Sequence, residues 1–359
     1  MRIAVIGARG GAPAQQGIHR ALLEVCPRLV RRGHDIDVFT ETNGHAVAPI
    51  EGTRLVRVPN LGFGVSDASA HAVLSSLLGA VRGYDVINFC AAQADGLFTL
   101  AAKLGLHRTV VSVHALEHDR PRRSPLLSPE MAAARFADAI TVVSRRLERH
   151  FRERYGREAF YIPNGVSAST SLPDPAPARR LGLTPGRYVL LADRMVPASG
   201  FHLALAAAED LPAGLHLVVA ETGEGDPDYR ARLSAQADPR RVVLAGPLPP
   251  AHLDALMAHA YLFLLPSQTD EPPQSLMVAL ARGRATMVSD LREHLDIVGA
   301  DAFTFTSGEP ADLRRVLVWL ANDPGVVREM ERRTAATVVS RYGWDRIAEA
   351  YELVFSSVL

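Results

Sequence analysis

The chain has 359 residues, long enough for two domains that each bury a core. Its 48% hydrophobic share excludes a disordered chain, and no apolar run approaches the ~20 residues of a membrane-spanning helix. Thirty-nine basic residues balance 39 acidic ones, so no overall field gathers nucleic acid or an anionic membrane, and any anion must be bound locally. One of those basic residues, Lys103, is a lysine and all the others are arginines. Any chemistry that needs a lysine therefore has one candidate.

Met1 to Gly7 runs directly into an apolar strand with no signal-peptide layout, and Cys26 and Cys90 lie in apolar stretches that predict buried free thiols. Both point to a reducing cytoplasm. A glycine-rich stretch, Gly7 to Gly17, follows the first strand. Next comes a helix carrying Ile18, Ala21, Leu22, Val25 and Leu29 on one face and stopped by Gly33, and then a strand over 35–40. This strand, loop, helix and strand begin a parallel sheet. Further strands are predicted at 53–58, 86–90, 109–114, 139–143 and 160–162, which makes the first half a doubly wound α/β domain. The rhythm breaks at Pro163-Asn164-Gly165-Val166, and the Ser-, Pro- and Ala-rich stretch 167–177 reads as an exposed connection. It restarts with strands at 188–192, 215–220, 242–244 and 262–265 and helices near 200–210 and 251–259. Trp344 to Leu359 is amphipathic, with Ile347, Ala350, Leu353 and Val354 at helical spacing.

Several constellations have two readings. The first glycine loop opens a helix, a place where backbone N–H groups can hold an anion, but its spacing is not G-x-G-x-x-G. A loop approaching a phosphate or sugar and a tight structural turn both fit better than a dinucleotide enzyme with Glu41 as ribose acceptor. His114-Ala115-Leu116-Glu117-His118 has the letters of an inverted zinc-peptidase motif, yet it follows a strand and runs into Pro121, so the two histidines do not share a helix face. A polar residue at the carboxyl end of a parallel strand is the better reading of His114, with a structural histidine as its alternative. The arginine-rich stretch 144–158 pairs Glu148/Arg152, Arg149/Glu153 and Glu153/Arg157 at i,i+4, which favours a solvated helix face over docking to an anionic membrane surface. Asp193-Arg194 and Pro266 to Glu271 both follow strands. An arginine there can grip a diphosphate with two prongs, and carboxylates there can accept from sugar hydroxyls. A plain surface arginine and a loop or helix cap are the alternatives.

In their order, these pieces resemble the family 4 retaining glycosyltransferases of the GT-B fold. The resemblance runs through Ile3-Ala4-Val5-Ile6-Gly7, Arg32-Gly33-His34-Asp35, Ser112-Val113-His114 and Ala139 to Ser144. It continues through Tyr161 to Val166, Pro266-Ser267, Ala279 to Gly283 and Tyr342-Gly343-Trp344-Asp345. It implies an α/β chain of two facing Rossmann-like domains: residues 1–166 for the acceptor, 167–341 for a nucleotide sugar, and a helix at 342–359 that crosses back to the first domain.

In that family an Arg-x4-Lys pair holds the leaving diphosphate, and two glutamates eight positions apart hold the donor sugar and ribose. The arginine falls on Arg194 and the lysine position on Ser199; the first glutamate falls on Asp270, with Glu271 beside it, and the second on Val278. Each lost charged partner is worth roughly 1.5–3 kcal/mol, which weakens a donor site without abolishing it. Had arginine bias alone acted on a required cation, position 199 would be Arg, so serine implies that the second positive charge is dispensed with. The resemblance assigns catalysis to His114, Arg194, Asp270 and Glu271. It assigns donor contacts to Arg194, Ser199, Gly200, Glu221, Gly246, Pro247, Leu248, Gln274, Ser275 and Val278, and the acceptor side to Gln16, Gly17, Gln93 and Glu117. Backbone N–H groups at the start of the helix after Ser199 are expected to share the diphosphate's charge. No metal and no cofactor beyond a nucleoside-diphosphate sugar is implied. The partners are that sugar donor and a small-molecule acceptor, with no nucleic acid. The alternative function is a catalytically degenerate binding or partner protein on the same fold, and a dinucleotide oxidoreductase is a distant third.

Overall fold

The computed structural model describes residues 1–7, 16–41, 49–58, 82–91, 107–114, 129–167, 171–269 and 274–359. The chain divides into two compact units, Met1–Gly165 with Trp344–Leu359, and Val166–Gly343. The turning points lie one and two residues from those read in the sequence.

The first unit holds a parallel sheet of β1 (Arg2–Ile6), β2 (Asp35–Glu41), β3 (Arg54–Val58), β4 (Val86–Ala91), β5 (Arg108–Val113), β6 (Ala139–Val142) and β7 (Phe160–Tyr161). Their spatial order is β3-β2-β1-β4-β5-β6-β7. A parallel sheet must be covered on both faces, which is why its strands are continuous apolar runs. Ile3 and Val5 of β1 face α1 (Gln16–Arg31) and the last helix, while Ala4 and Ile6 join Phe39, Ile87 and Phe151 on the other side. The predicted inner face of α1 is buried as read. α2 (Pro129–Phe136) and α3 (Arg145–Tyr155) complete the described helices of this half.

Ser144 caps α3 by accepting from the Leu147 N–H, and Gly156 ends it in the left-handed conformation. Arg152 binds Glu158 through two bonds of 2.9 and 2.8 Å and lies 3.6 Å from Glu148, and Arg145 pairs with Glu148. The expected Glu153/Arg157 pair does not form, because Arg157 turns inward to donate to the Ala137 carbonyl. This is the solvated, ion-paired face of the first reading.

The second unit carries α4 (Ala176–Arg180), β8 (Tyr188–Asp193), α5 (Phe201–Ala208), β9 (His216–Glu221), α6 (Pro227–Gln236), β10 (Val242–Pro247), α7 (Pro250–His259), β11 (Leu262–Leu265) and α8 (Gln274–Ala281). β12 (Thr286–Ser289), α9 (Arg292–Val298), β13 (Phe303–Phe305), α10 (Pro310–Asn322) and α11 (Pro324–Tyr342) follow. The sheet is again all parallel, in the order β10-β9-β8-β11-β12-β13. Val189 and Leu191 face α5 and α10, and Leu190 and Ala192 face α7 and α8. Of the stretch 167–177, the described residues Ser171, Leu172 and Asp174 are exposed, and α4 begins at Ala176.

α12 (Trp344–Ser357) belongs to the first unit, as the expected return of the last helix requires. Its buried face is Trp344, Ile347, Ala348, Tyr351, Val354 and Phe355, whereas Leu353 is 66% exposed, contrary to the stripe read from the sequence. A side chain at Gly165 would overlap the Trp344 ring, so glycine at the crossing lets the indole seat.

Candidate functional site

In a sheet of this winding, ligands bind where the order reverses, outside the carboxyl ends of the two strands at the switch. In the second unit these are β8 and β11. β8 ends in Asp193, and Arg194 follows. Its side chain is exposed, its Cγ lies near Gly223, and no ion-pair partner is found among the described residues. The main chain around it is held on every side. Asp193 Oδ1 accepts from the Arg194 N–H at 2.7 Å, the Ser199 hydroxyl donates to the Arg194 carbonyl at 2.7 Å, and the Ser275 hydroxyl donates to the Ala192 carbonyl at 2.5 Å.

The two loops at the switch are locked together. Gly200 has φ 70°, and a Cβ there would overlap the Pro266 carbonyl oxygen, so only glycine lets the loop after β8 meet the loop after β11. The Gln268 N–H donates to the Ala198 carbonyl at 2.8 Å. Ser267 is fully buried; its hydroxyl accepts from the Thr269 N–H, and its carbonyl accepts from Ser289 at 2.6 Å.

Several expected donor contacts are corrected by this geometry. The Ser199 hydroxyl is 3% exposed and committed to Arg194, so it faces inward and offers nothing to a ligand. Ser275 is likewise spent on Ala192. Glu221 is buried and gripped by Arg230 through bonds of 2.8 and 2.5 Å, so its charge is already paired within the unit. The first-turn amides of α5 are also taken. The His202 N–H donates to the Tyr229 phenol at 3.1 Å and the Leu203 N–H to the Gly200 carbonyl at 3.0 Å, and burial holds the phenol above its ordinary pKa. The anion end of that helix is therefore plugged from within. Nothing in the sequence pattern marked Tyr229, because its partner lies on a different helix.

The other expected positions fall out as follows. Gly246 has φ 64° beside a register shift in β10, Pro247 is exposed opposite Glu221, and Leu248 is half-buried. Gln274 is exposed at the first position of α8, and Val278 is half-buried against the apolar cluster beneath the sheet, where it cannot accept a hydrogen bond. Asp270, Glu271, Gln93, Glu117 and Lys103 lie outside the described residues, as do the side chains of Gln16 and Glu41 and the exposure of Gly17.

In the first unit His114 follows β5 on the same side of the strand as Ser112. Its imidazole lines a small apolar cavity of about 20 Å³ with Cys26, Cys90, Asn88, Tyr351 and Phe355. Burial lowers its pKa to about 4, so the ring is neutral at pH 7. Below it a buried polar chain crosses three strands: Thr141 donates to Ser112 and Ser112 to Asn88, each at 2.9 Å. The Tyr351 phenol of α12 lies against both hydroxyls, and burial pushes its pKa up to about 12. Cys26 and Cys90 are free and buried, and burial pushes the Cys90 thiol up to about 12, so both are inert as read. Among the described residues no group of three His, Cys, Asp or Glu side chains is placed to hold a metal.

Residues 16–170 match Glycosyltransferase Family 4, and residues 186–323 match Glycosyl transferases group 1. The chain belongs to the family 4 glycosyltransferases. No curated protein matches its sequence. Solved structures match the glycosyltransferase over nearly its whole length. Anabaena Alr3699/HepE in complex with UDP aligns with a TM-score of 0.76 at 18% identity, covering 99% of each chain. A glycosyltransferase from Rickettsia africae ESF-5 aligns at 0.74 and 14% identity, covering 99% of this chain and 98% of its own. Sucrose-phosphate synthase (tll1590) from Thermosynechococcus elongatus aligns at 0.70 and 18% identity, covering 99% of each. These likenesses show the two-unit GT-B fold. The glycosyltransferase has no helix, among its described residues, long and apolar enough to cross a membrane.

Proposed function

We propose that the protein transfers a sugar, with retention and without a metal, from a nucleoside-diphosphate sugar to a small-molecule acceptor. The second unit takes the donor and the first unit the acceptor. In this reading the departing diphosphate meets Arg194. A guanidinium whose main chain is already fixed supplies charge where charge develops, at little cost in reorganisation during the reaction. His114 is neutral, and because its imidazole lines the small apolar cavity against α1 and α12 it is left out of the sugar contacts. The observation that carries the proposal is Arg194: an exposed arginine without an ion-pair partner among the described residues, on a clamped main chain at the switch point of the second sheet. The two free, buried thiols fit a cytoplasmic site of action.

The likeness to Anabaena Alr3699/HepE, solved with UDP-glucose, puts UDP-glucose first in a panel of UDP-, GDP-, CDP- and dTDP-sugars. The expected result is release of one nucleoside diphosphate, dependent on Arg194. A folded protein that turns over no donor and binds no nucleoside diphosphate overturns the proposal. A second reading, a binding protein that has lost transfer, is favoured by two particular observations: Ser199 faces inward, and Val278 has no acceptor atom. Tight nucleotide binding without turnover of any donor is its signature.

A further inference from the structure

We propose that Ser199 is a positioning residue that aims Arg194 and thereby stands in for the lysine absent from its place. This rests on the donor reading above. The lysine position could have been filled by any tolerated side chain. What fills it is a buried hydroxyl whose hydrogen bond goes to the carbonyl of the remaining cation.

Two side chains act on the peptide groups flanking the Arg194 Cα, and a third acts on the peptide before them. Ser275 holds the Ala192 carbonyl, Asp193 holds the Arg194 N–H, and Ser199 holds the Arg194 carbonyl. The Val196 N–H adds a second bond to that carbonyl at 2.9 Å. Only the side-chain torsions of Arg194 remain to be ordered when an anion arrives, and binding costs less when fewer torsions must be fixed. With one cation in place of two, its aim matters more. A lysine at position 199 would have to bury its ammonium where only 3% of the residue is accessible, or open the turn that Gly200 closes against Pro266. The brace and a second cation are alternatives at this position.

The test is a double-mutant cycle read by calorimetry with UDP, GDP, CDP and dTDP on the full chain. Ser199→Ala weakens the best-bound nucleotide by about five- to tenfold, the worth of one neutral hydrogen bond, and Ser199→Thr, which keeps the hydroxyl, restores binding to within about twofold. In an Arg194→Ala background, Ser199→Ala has no further effect, which a merely structural serine would not produce. Equal losses in both backgrounds, or no loss in the single variant, overturn the inference while leaving the donor reading intact. If Arg194→Ala itself leaves binding unchanged, or no nucleotide binds, the donor reading falls and takes the inference with it. Where Ser199→Ala fails to fold, Ser199→Cys, which keeps the volume and donates weakly, takes its place in the cycle.

Discussion

The two sheets are wound alike, yet their switch points are finished differently. In the first unit Gly7 follows β1 directly with φ 100°, and a Cβ there would stand 2.6 Å from the Cys90 carbonyl oxygen at the end of β4. In the second unit Gly200 meets the Pro266 carbonyl just past β11 in the same manner, but only after the segment Arg194–Ser199 has intervened. A glycine pressed on the neighbouring strand's carbonyl is thus shared by both windings, while the residues between strand and glycine carry the chemistry. The fold sets the close approach, and the inserted segment decides what the approach can bind.

The sharpest way to break this comparison is to put a methyl group on each glycine. Gly200→Ala meets backbone, not a flexible side chain, at a positive φ, and should cost more than about 3 kcal/mol of stability. Gly7→Ala should cost a similar amount in the first unit. Urea unfolding monitored by circular dichroism measures both. A loss below about 1 kcal/mol at either site would mean that its loop relaxes and that the glycine is not what closes the switch.

The architecture was legible because buried parallel strands are short apolar runs and each unit repeats the alternation. β8 and β11 stand where Tyr188 to Ala192 and Leu262 to Leu265 place them. β12 and β13 were not legible because Thr286, Ser289 and Thr304 interrupt their apolar runs. Arg194 was legible as a polar residue at a strand end. What could not be read was which polar groups the fold consumes internally. Ser199, Ser275 and Glu221 all have the chemistry of ligands, but each is paired with a partner brought in by another element or by a tight turn. Leu353 was misread for a related reason: helical spacing gives a stripe, but the stripe's direction is set by what α12 lies on, here the sheet side bearing Tyr351 and Trp344.

A smaller effect separates the chemistry of the two units. The first holds an imidazole whose pKa burial lowers from 6.5 to about 4, whereas the second presents the exposed guanidinium of Arg194 at its switch point. Between those two values the unfolded chain binds a proton at His114 that the native state refuses. Its contribution is therefore fully present above pH 6.5 and is lost as pH falls toward 4. Going from pH 7 to pH 5 should cost about 1–2 kcal/mol of unfolding free energy from this group. His114→Gln, which cannot titrate, should flatten that part of the pH dependence. An unchanged slope would place the imidazole in contact with water.

The smallest expected effects lie on α12, where neighbouring residues face opposite ways. Tyr351 ties the helix to the polar chain of Ser112 and Thr141 across β5 and β6, so Tyr351→Phe removes one hydroxyl from a buried network and should cost about 1 kcal/mol. Leu353, two positions away, is 66% exposed and should lose less than about 0.5 kcal/mol on replacement by Ala, despite being the larger apolar truncation. Thermal melts of the two variants side by side test the helix's orientation directly. If Leu353→Ala proved the more damaging, the outer face of α12 would have to be covered by something else. Losing a single hydroxyl outweighs losing an isopropyl group only where the hydroxyl is buried and the isopropyl group is not.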